Sequence, residues 1–145
     1  MPKWIVVLAI GGAVVLGAAA VFKIWPVINV VETGKTPEYP DVVPRQYSAS
    51  KDRVFEASLR AAGRMPRWTL VSSRSEQGEI RAEATTRLFR FVDDVVVRVT
   101  EESGRTAVNV RSASRVGRGD FGQNARNIRA FFLELDRQLA TGSGS

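Results

Sequence analysis

The residues best suited to chemistry gather in one stretch, RSASRVGRGDFGQNARNIRAFF, residues 111–132. Gly117, Gly119 and Gly122 leave backbone N–H groups open, and a helix is expected to start beside them. Arg111, Arg115, Arg118 and Arg126 add planar guanidinium forks. These are the parts of an anion site for a phosphate, a headgroup or a carboxylate. The same residues have a structural reading, in which the glycines shape a tight turn and Asp120 caps the last helix while pairing with an arginine. The spacing also spells G-x-G-x-x-G after a strand. Only about twenty residues follow it, too few for the βαβ unit that a dinucleotide fingerprint requires. The tripeptides Arg118-Gly119-Asp120 and Asp120-Phe121-Gly122 spell integrin and kinase motifs by chance, since no other kinase element accompanies them.

Elsewhere the chemistry is thin. The 145 residues include no His and no Cys. That excludes a Ser–His or Cys–His triad, a thiol nucleophile, an imidazole or thiolate metal site and a disulfide framework. Acid–base work would fall to carboxylates, Tyr39, Tyr47, Lys35 and Lys51, none in an evident cleft. Asp93-Asp94 is the only adjacent pair of aspartates. Neighbours on a strand point to opposite faces, so the pair suits neither shared proton transfer nor a metal cage and reads as a solvated strand entry. LFRF, residues 88–91, interleaves Phe with Arg as nucleic-acid binders do. It is one short run, and two Phe two residues apart more simply share a core-facing or membrane-facing side. No enzyme activity, cofactor, metal or nucleic-acid partner is expected.

The elements that must hold these residues begin with a membrane segment. Residues 4–22, WIVVLAIGGAVVLGAAAVF, carry no charge over 19 positions, roughly 28 Å of helix against a ~30 Å hydrocarbon core. Lys3 flanks one end and Lys23, Trp25 and Pro26 the other, as at a bilayer boundary. A cleaved signal peptide ending at Ala18-Ala19-Ala20 is the rival, but the run exceeds a usual h-region. Ala9, Ala13 and Gly17 recur every fourth residue, a small-residue face on which another transmembrane helix can pack. Positive charges nearly balance across the segment. The orientation favoured is N-terminus inside and domain outside, at a bacterial inner membrane.

Residues 1–26 are therefore expected as an anchor, and 27–46, with Pro37, Pro40 and Pro44, as an extended spacer whose Val-rich start could instead dock on the domain. Residues 47–140 read as one α+β domain. Ser50 is a helix N-cap, and Val54, Phe55, Leu59, Ala62 and Met65 form an apolar stripe ended by Pro66. RWTLVSS is the first strand of the domain. Ile80, Ala82, Ala84 and Thr86 alternate in the next, Val95, Val97 and Val99 in the third, and Val108 and Val110 in the fourth, after the hairpin loop EESGR. Ile128, Phe131, Phe132, Leu135 and Leu139 line a last helix from about residue 122 to 140. The expected fold is α-β-β-β-β-α, a four-stranded antiparallel sheet with two helices on one face. Residues 141–145 read as a flexible tail.

Charge divides unevenly over this plan. Residues 1–26 carry +2, the remaining 19 basic and 15 acidic residues carry +4, and residues 111–129 alone carry +4.

The stretches VETGKTPEYPD, EATTRLFRFVDDVVVRV and VRSASRVGRGDFGQNARNIRAFF together resemble the family known as domain of unknown function 1499, over roughly residues 28–140. The most specific part is S-x-S-R-x-G-x-x-D-F-G-x-N-x-x-R-I, met here by Ser112, Ser114, Arg115, Gly117, Asp120, Phe121, Gly122, Asn124 and Ile128. Asn127 stands where the pattern has arginine. The resemblance implies a bacterial or plastid-type protein, often membrane-associated, without an established activity. The function expected is a membrane-anchored, non-enzymatic accessory subunit of a larger membrane complex, in contact with the bilayer and another integral membrane protein. The alternative is a binding module for an anionic or lipid-like ligand, such as an anionic lipid headgroup, at residues 111–129.

Overall fold

A computed structural model describes residues 26–142, so the expected membrane segment with Ala9, Ala13 and Gly17 lies outside the described residues. Among the described residues no helix is long and apolar enough to cross a membrane. The elements are β1 (Val30–Glu32), β2 (Arg45–Tyr47), α1 (Lys51–Arg64), β3 (Trp68–Arg74), β4 (Glu79–Thr85), β5 (Val92–Glu102), β6 (Arg105–Ser114) and α2 (Gln123–Thr141). The α+β class, the antiparallel sheet and the two helices are as expected from the sequence.

The strand count is not. The sheet has six strands, ordered β1-β6-β5-β4-β3, with β2 also paired to β6. β1 lies along residues 111–113 of β6 and β2 along residues 106–108, so two short strands share one long edge. Both come from the stretch expected as a spacer. Its prolines cannot donate to a ladder, yet they sit in the connection between the two strands and leave the pairing residues free. That connection closes on itself: the Gly34 N–H donates to the Val42 carbonyl at 2.8 Å and the Val42 N–H to the Tyr39 carbonyl at 3.0 Å. Val31 and Val42 are buried in the core. Residues 27–46 are thus part of the domain and no spacer.

Local chemistry explains the rest. The Ser50 hydroxyl accepts the Arg53 N–H at 3.3 Å and Asp52 stands in the first turn, which starts α1; Met65 and then Pro66 end it. Its buried stripe of Val54, Phe55, Ala57, Ala61 and Ala62 packs against Ile128, Phe131, Phe132 and Leu135 of α2 and against the inward valines of β5 and β6. The Trp68 and Phe131 rings stack 6.0 Å apart at 3°. Ser103 and Gly104 both take positive φ, the two-residue turn that suits a right-twisted hairpin. Tyr47 donates to Asp136 on α2 at 2.8 Å, which ties β2 to the helix layer.

Both helices cover one face, so the other meets solvent and is charged. There Arg81 and Arg98 reach Glu79 at 2.8 and 3.4 Å, and Arg115 reaches Glu83 and Asp94 at 2.5 and 2.6 Å.

Candidate functional site

Side chains two apart on a strand share a face. Ser112 and Ser114 therefore both point under the helices from the end of β6, and Asp93 does so from the start of β5, in phase with Val95, Val97 and Val99. Asn124 and Asn127, one turn apart on α2, meet them. The Ser112 hydroxyl donates to Asn124 Oδ1 at 2.6 Å, and Asn124 Nδ2 donates to the Ser114 hydroxyl at 2.9 Å and to the Asn29 carbonyl at 2.9 Å. Asp93 receives the Ser114 hydroxyl at 2.9 Å and Asn127 Nδ2 at 2.9 Å. Asp93 is only 1% exposed. Burial pushes its carboxyl above the usual range of an aspartate, Asp120 and Asp94 add to the rise, and the two hydrogen bonds oppose it. Its hydrogen-bond partners here are neutral, a hydroxyl and an amide.

Asp93 and Ser114 form the floor of a cleft of about 320 Å³. One wall is the loop 86–91 between β4 and β5, closed by the Thr86 N–H on the Phe91 carbonyl at 2.8 Å and by the Phe91 N–H on the Thr86 hydroxyl at 2.9 Å. It presents Leu88, Phe89 and Phe91, the two Phe rings stacked 5.5 Å apart. The opposite wall is the loop 115–122, which presents Val116 and Phe121. Phe121 takes φ +51, a left-handed conformation that costs a side-chain-bearing residue of order 1 kcal/mol. Arg87, Arg126, Asp120 and Gln123 add polar side chains to the lining.

The residues expected to form an anion site divide: Gly117, Gly119 and Arg126 line the cleft, whereas Arg111 and Arg115 do not. Arg111 lies on the outer face of the sheet, beside Arg81 and Asp94. Arg115 grips Asp94 through Nε at 2.9 Å and Nη2 at 2.6 Å, which holds that carboxylate well below its usual range and leaves Arg115 occupied. Arg126 donates to the Phe121 carbonyl at 2.8 Å. At the start of α2 the N–H groups are taken from within: the Asp120 carboxylate accepts Gly122 N–H at 2.9 Å and Asn124 N–H at 2.7 Å. Asp120 thus fixes the start of α2, Gly122 with φ +75 makes the turn possible, and Gly117 with φ +81 offers its carbonyl to Asn29. Gly119 packs beside Val27, and Arg118 makes no ion pair among the described residues. Arg129 pairs with Asp41 at 2.7 Å.

Two features were missed in the sequence. Asp93 is a buried network member and no solvated strand entry; the period of two through Val95, Val97 and Val99 already places it inward. Leu88, Phe89 and Phe91 belong to an exposed loop, a position that periodicity alone does not disclose. Among the described residues no group of acidic side chains is arranged to hold a metal ion.

A family model described as protein of unknown function (DUF1499) matches residues 24–135. No curated protein matches the chain. Among solved structures, protein TTHA0849 of Thermus thermophilus is 11% identical with a TM-score of 0.43, over 79% of this chain and 99% of that one. Protein CV1439 of Chromobacterium violaceum is 12% identical with a TM-score of 0.35, over 78% and 95%. Neither likeness bears on the site.

Proposed function

This chain belongs to the DUF1499 family, and for it we propose a binding role without chemistry: the cleft between loops 86–91 and 115–122 takes a lipid-like amphipathic molecule. The observation that carries this reading is an apolar cleft of ligand size with a polar floor. Leu88, Phe89, Phe91, Val116 and Phe121 suit an acyl or isoprenoid body. Asp93 and Ser114 suit a hydroxyl or amine that can donate to them. Both Asp93 oxygens are already hydrogen-bonded to Ser114 and Asn127, which supports recognition over proton transfer. The domain is proposed to be tethered to a bacterial inner membrane through residues 1–26.

Native mass spectrometry of the full chain in mild detergent with added membrane lipid tests the proposal. Wild type retains a lipid adduct and Phe91→Asp, which puts a charge on an exposed wall, loses it. Equal occupancy in both overturns the reading.

The second reading is an accessory subunit. β3 pairs only with β4 among the described residues and exposes Leu70 and Val71, an edge that a protein partner can extend. Purification in mild detergent tests it, and recovery of the chain alone counts against it.

A further inference from the structure

The rim of the cleft is built from side chains that do not belong in water. Leu88 is 79% and Phe89 67% exposed, and Val116 and Phe121 stand more than half exposed across the opening. One exposed apolar residue is ordinary, but several around one mouth form a patch that marks an interaction site. Arg87 and Arg90 alternate with these side chains in loop 86–91, and Arg118 sits at the tip of the facing loop. None of the three makes an ion pair among the described residues. Apolar side chains interleaved with uncommitted arginines are the composition of a surface that meets anionic lipid.

The entry of the chain points the same way. The Asp120 N–H donates to the Ile28 carbonyl at 3.1 Å, and a Cβ placed on Gly119 would lie 3.8 Å from Val27 Cγ1. The N-terminal stretch therefore joins the domain on loop 115–122, one wall of the cleft. The uncharged run in the sequence ends at residue 22. The five steps from there to residue 27 reach at most about 18 Å even when fully extended. If residues 4–22 span a bilayer, as proposed above, this wall lies within about 18 Å of its boundary.

We propose that the rim docks on the surface of a bilayer bearing anionic headgroups. Leu88 and Phe89 enter the interfacial region, Arg87, Arg90 and Arg118 meet the phosphates, and the cleft opens towards lipid. The proposal rests on the reading of the cleft as a lipid-like site, to which it adds the source of the ligand and its route.

The chain has no cysteine, so a single introduced one carries a nitroxide label unambiguously. The full chain is reconstituted into phosphatidylcholine vesicles with and without phosphatidylglycerol, labelled at Leu88→Cys, Phe89→Cys or Glu102→Cys. Glu102 ends the 11-residue β5, roughly 34 Å from its cleft end. The expected result is several-fold lower collision with a water-soluble nickel chelate at 88 and 89 than at 102, most marked with phosphatidylglycerol. Replacing Arg87, Arg90 and Arg118 by Gln then raises collision at 89. Equal accessibility at 89 and 102 in anionic vesicles overturns the proposal. So does shielding that grows with protein concentration at constant lipid, which identifies a second copy on the rim. A chain that retains lipid by mass spectrometry while label 89 stays in water keeps the binding role and loses the docking.

Discussion

At the residue scale the decisive side chain is Asp93. Burial raises its carboxyl above the ordinary 3.8, so the folded chain holds this proton to higher pH than the unfolded chain does. Between those two values the folded state binds more protons, and stability falls as pH rises through the window. Asp93→Asn removes that contribution while keeping an oxygen and the shape. The stability of wild type relative to Asp93→Asn is therefore expected to decline as pH rises from below 3.8 and then to level off. Urea midpoints of both proteins across the acid range measure it. A difference that grows with pH would instead reveal a stabilising cation beside Asp93. The position was legible, because Val95, Val97 and Val99 fix the phase of the strand. Pairing it with Asp94 as neighbouring acids obscured that phase: Asp94 is the outward one, answered by Arg115.

At the scale of elements, residues 27–46 show what sequence pattern reads and what it passes over. The long strands β5 and β6 give several alternations each, and the amphipathic helices give several turns. β1 and β2 have three residues apiece, too few for any period, and three prolines nearby speak for extended chain. What places them is tertiary: the Thr33 N–H donates to the Val110 carbonyl at 3.0 Å and the Ser114 N–H to the Asn29 carbonyl at 2.8 Å. Val31, with no exposed surface, then belongs to the core. Val31→Ala is expected to cost roughly 1–3 kcal/mol in urea unfolding, whereas a residue in a solvated spacer would cost nothing measurable. Gly78 makes a second test. It takes φ +64 in the turn into β4, and a Cβ there would run into the Val99 carbonyl oxygen. Gly78→Ala is expected to lose about 3 kcal/mol from left-handed strain and the backbone clash together. Gly104→Ala, whose added Cβ meets nothing within 4 Å, is expected to lose only the strain, about 1 kcal/mol.

Over the whole molecule the charge excess reads differently in three dimensions. Residues 111–129 account for +4 along the chain, yet Arg111 and Arg115 point to the outer face and Arg129 to Asp41. The cations beside the cleft come from two loops that sequence separates: Arg87 and Arg90 on one, Arg118 on the other, with Arg126 at the helix start. The outer face is an ionic lattice, and it sets how the molecule meets acid. Hydrogen bonds from arginine, Arg115 for Asp94, Arg81 for Glu79 and Arg129 for Asp41, lead the causes that hold these carboxyls below their ordinary values. A lowered carboxyl stabilises the fold above its unfolded value, 3.8 for Asp and 4.5 for Glu, and that stabilisation is lost as pH falls through the lower folded value. This is the opposite sign to Asp93. Glu134 is lowered as well, chiefly by its hydrogen bond from Gln138, so four lowered carboxyls oppose one buried acid, and wild type is expected to lose stability as pH falls below about 4. Asp41 and Asp94 are about half exposed and Glu79 less so, and salt screens exposed pairs while sparing buried ones. Raising salt should therefore flatten the acid loss of the wild type but leave the difference between wild type and Asp93→Asn almost unchanged. Thermal unfolding of both chains at low and high salt, on either side of about pH 4, measures the two together. A salt effect of equal size on that difference would mean that Asp93 feels the lattice through the sheet.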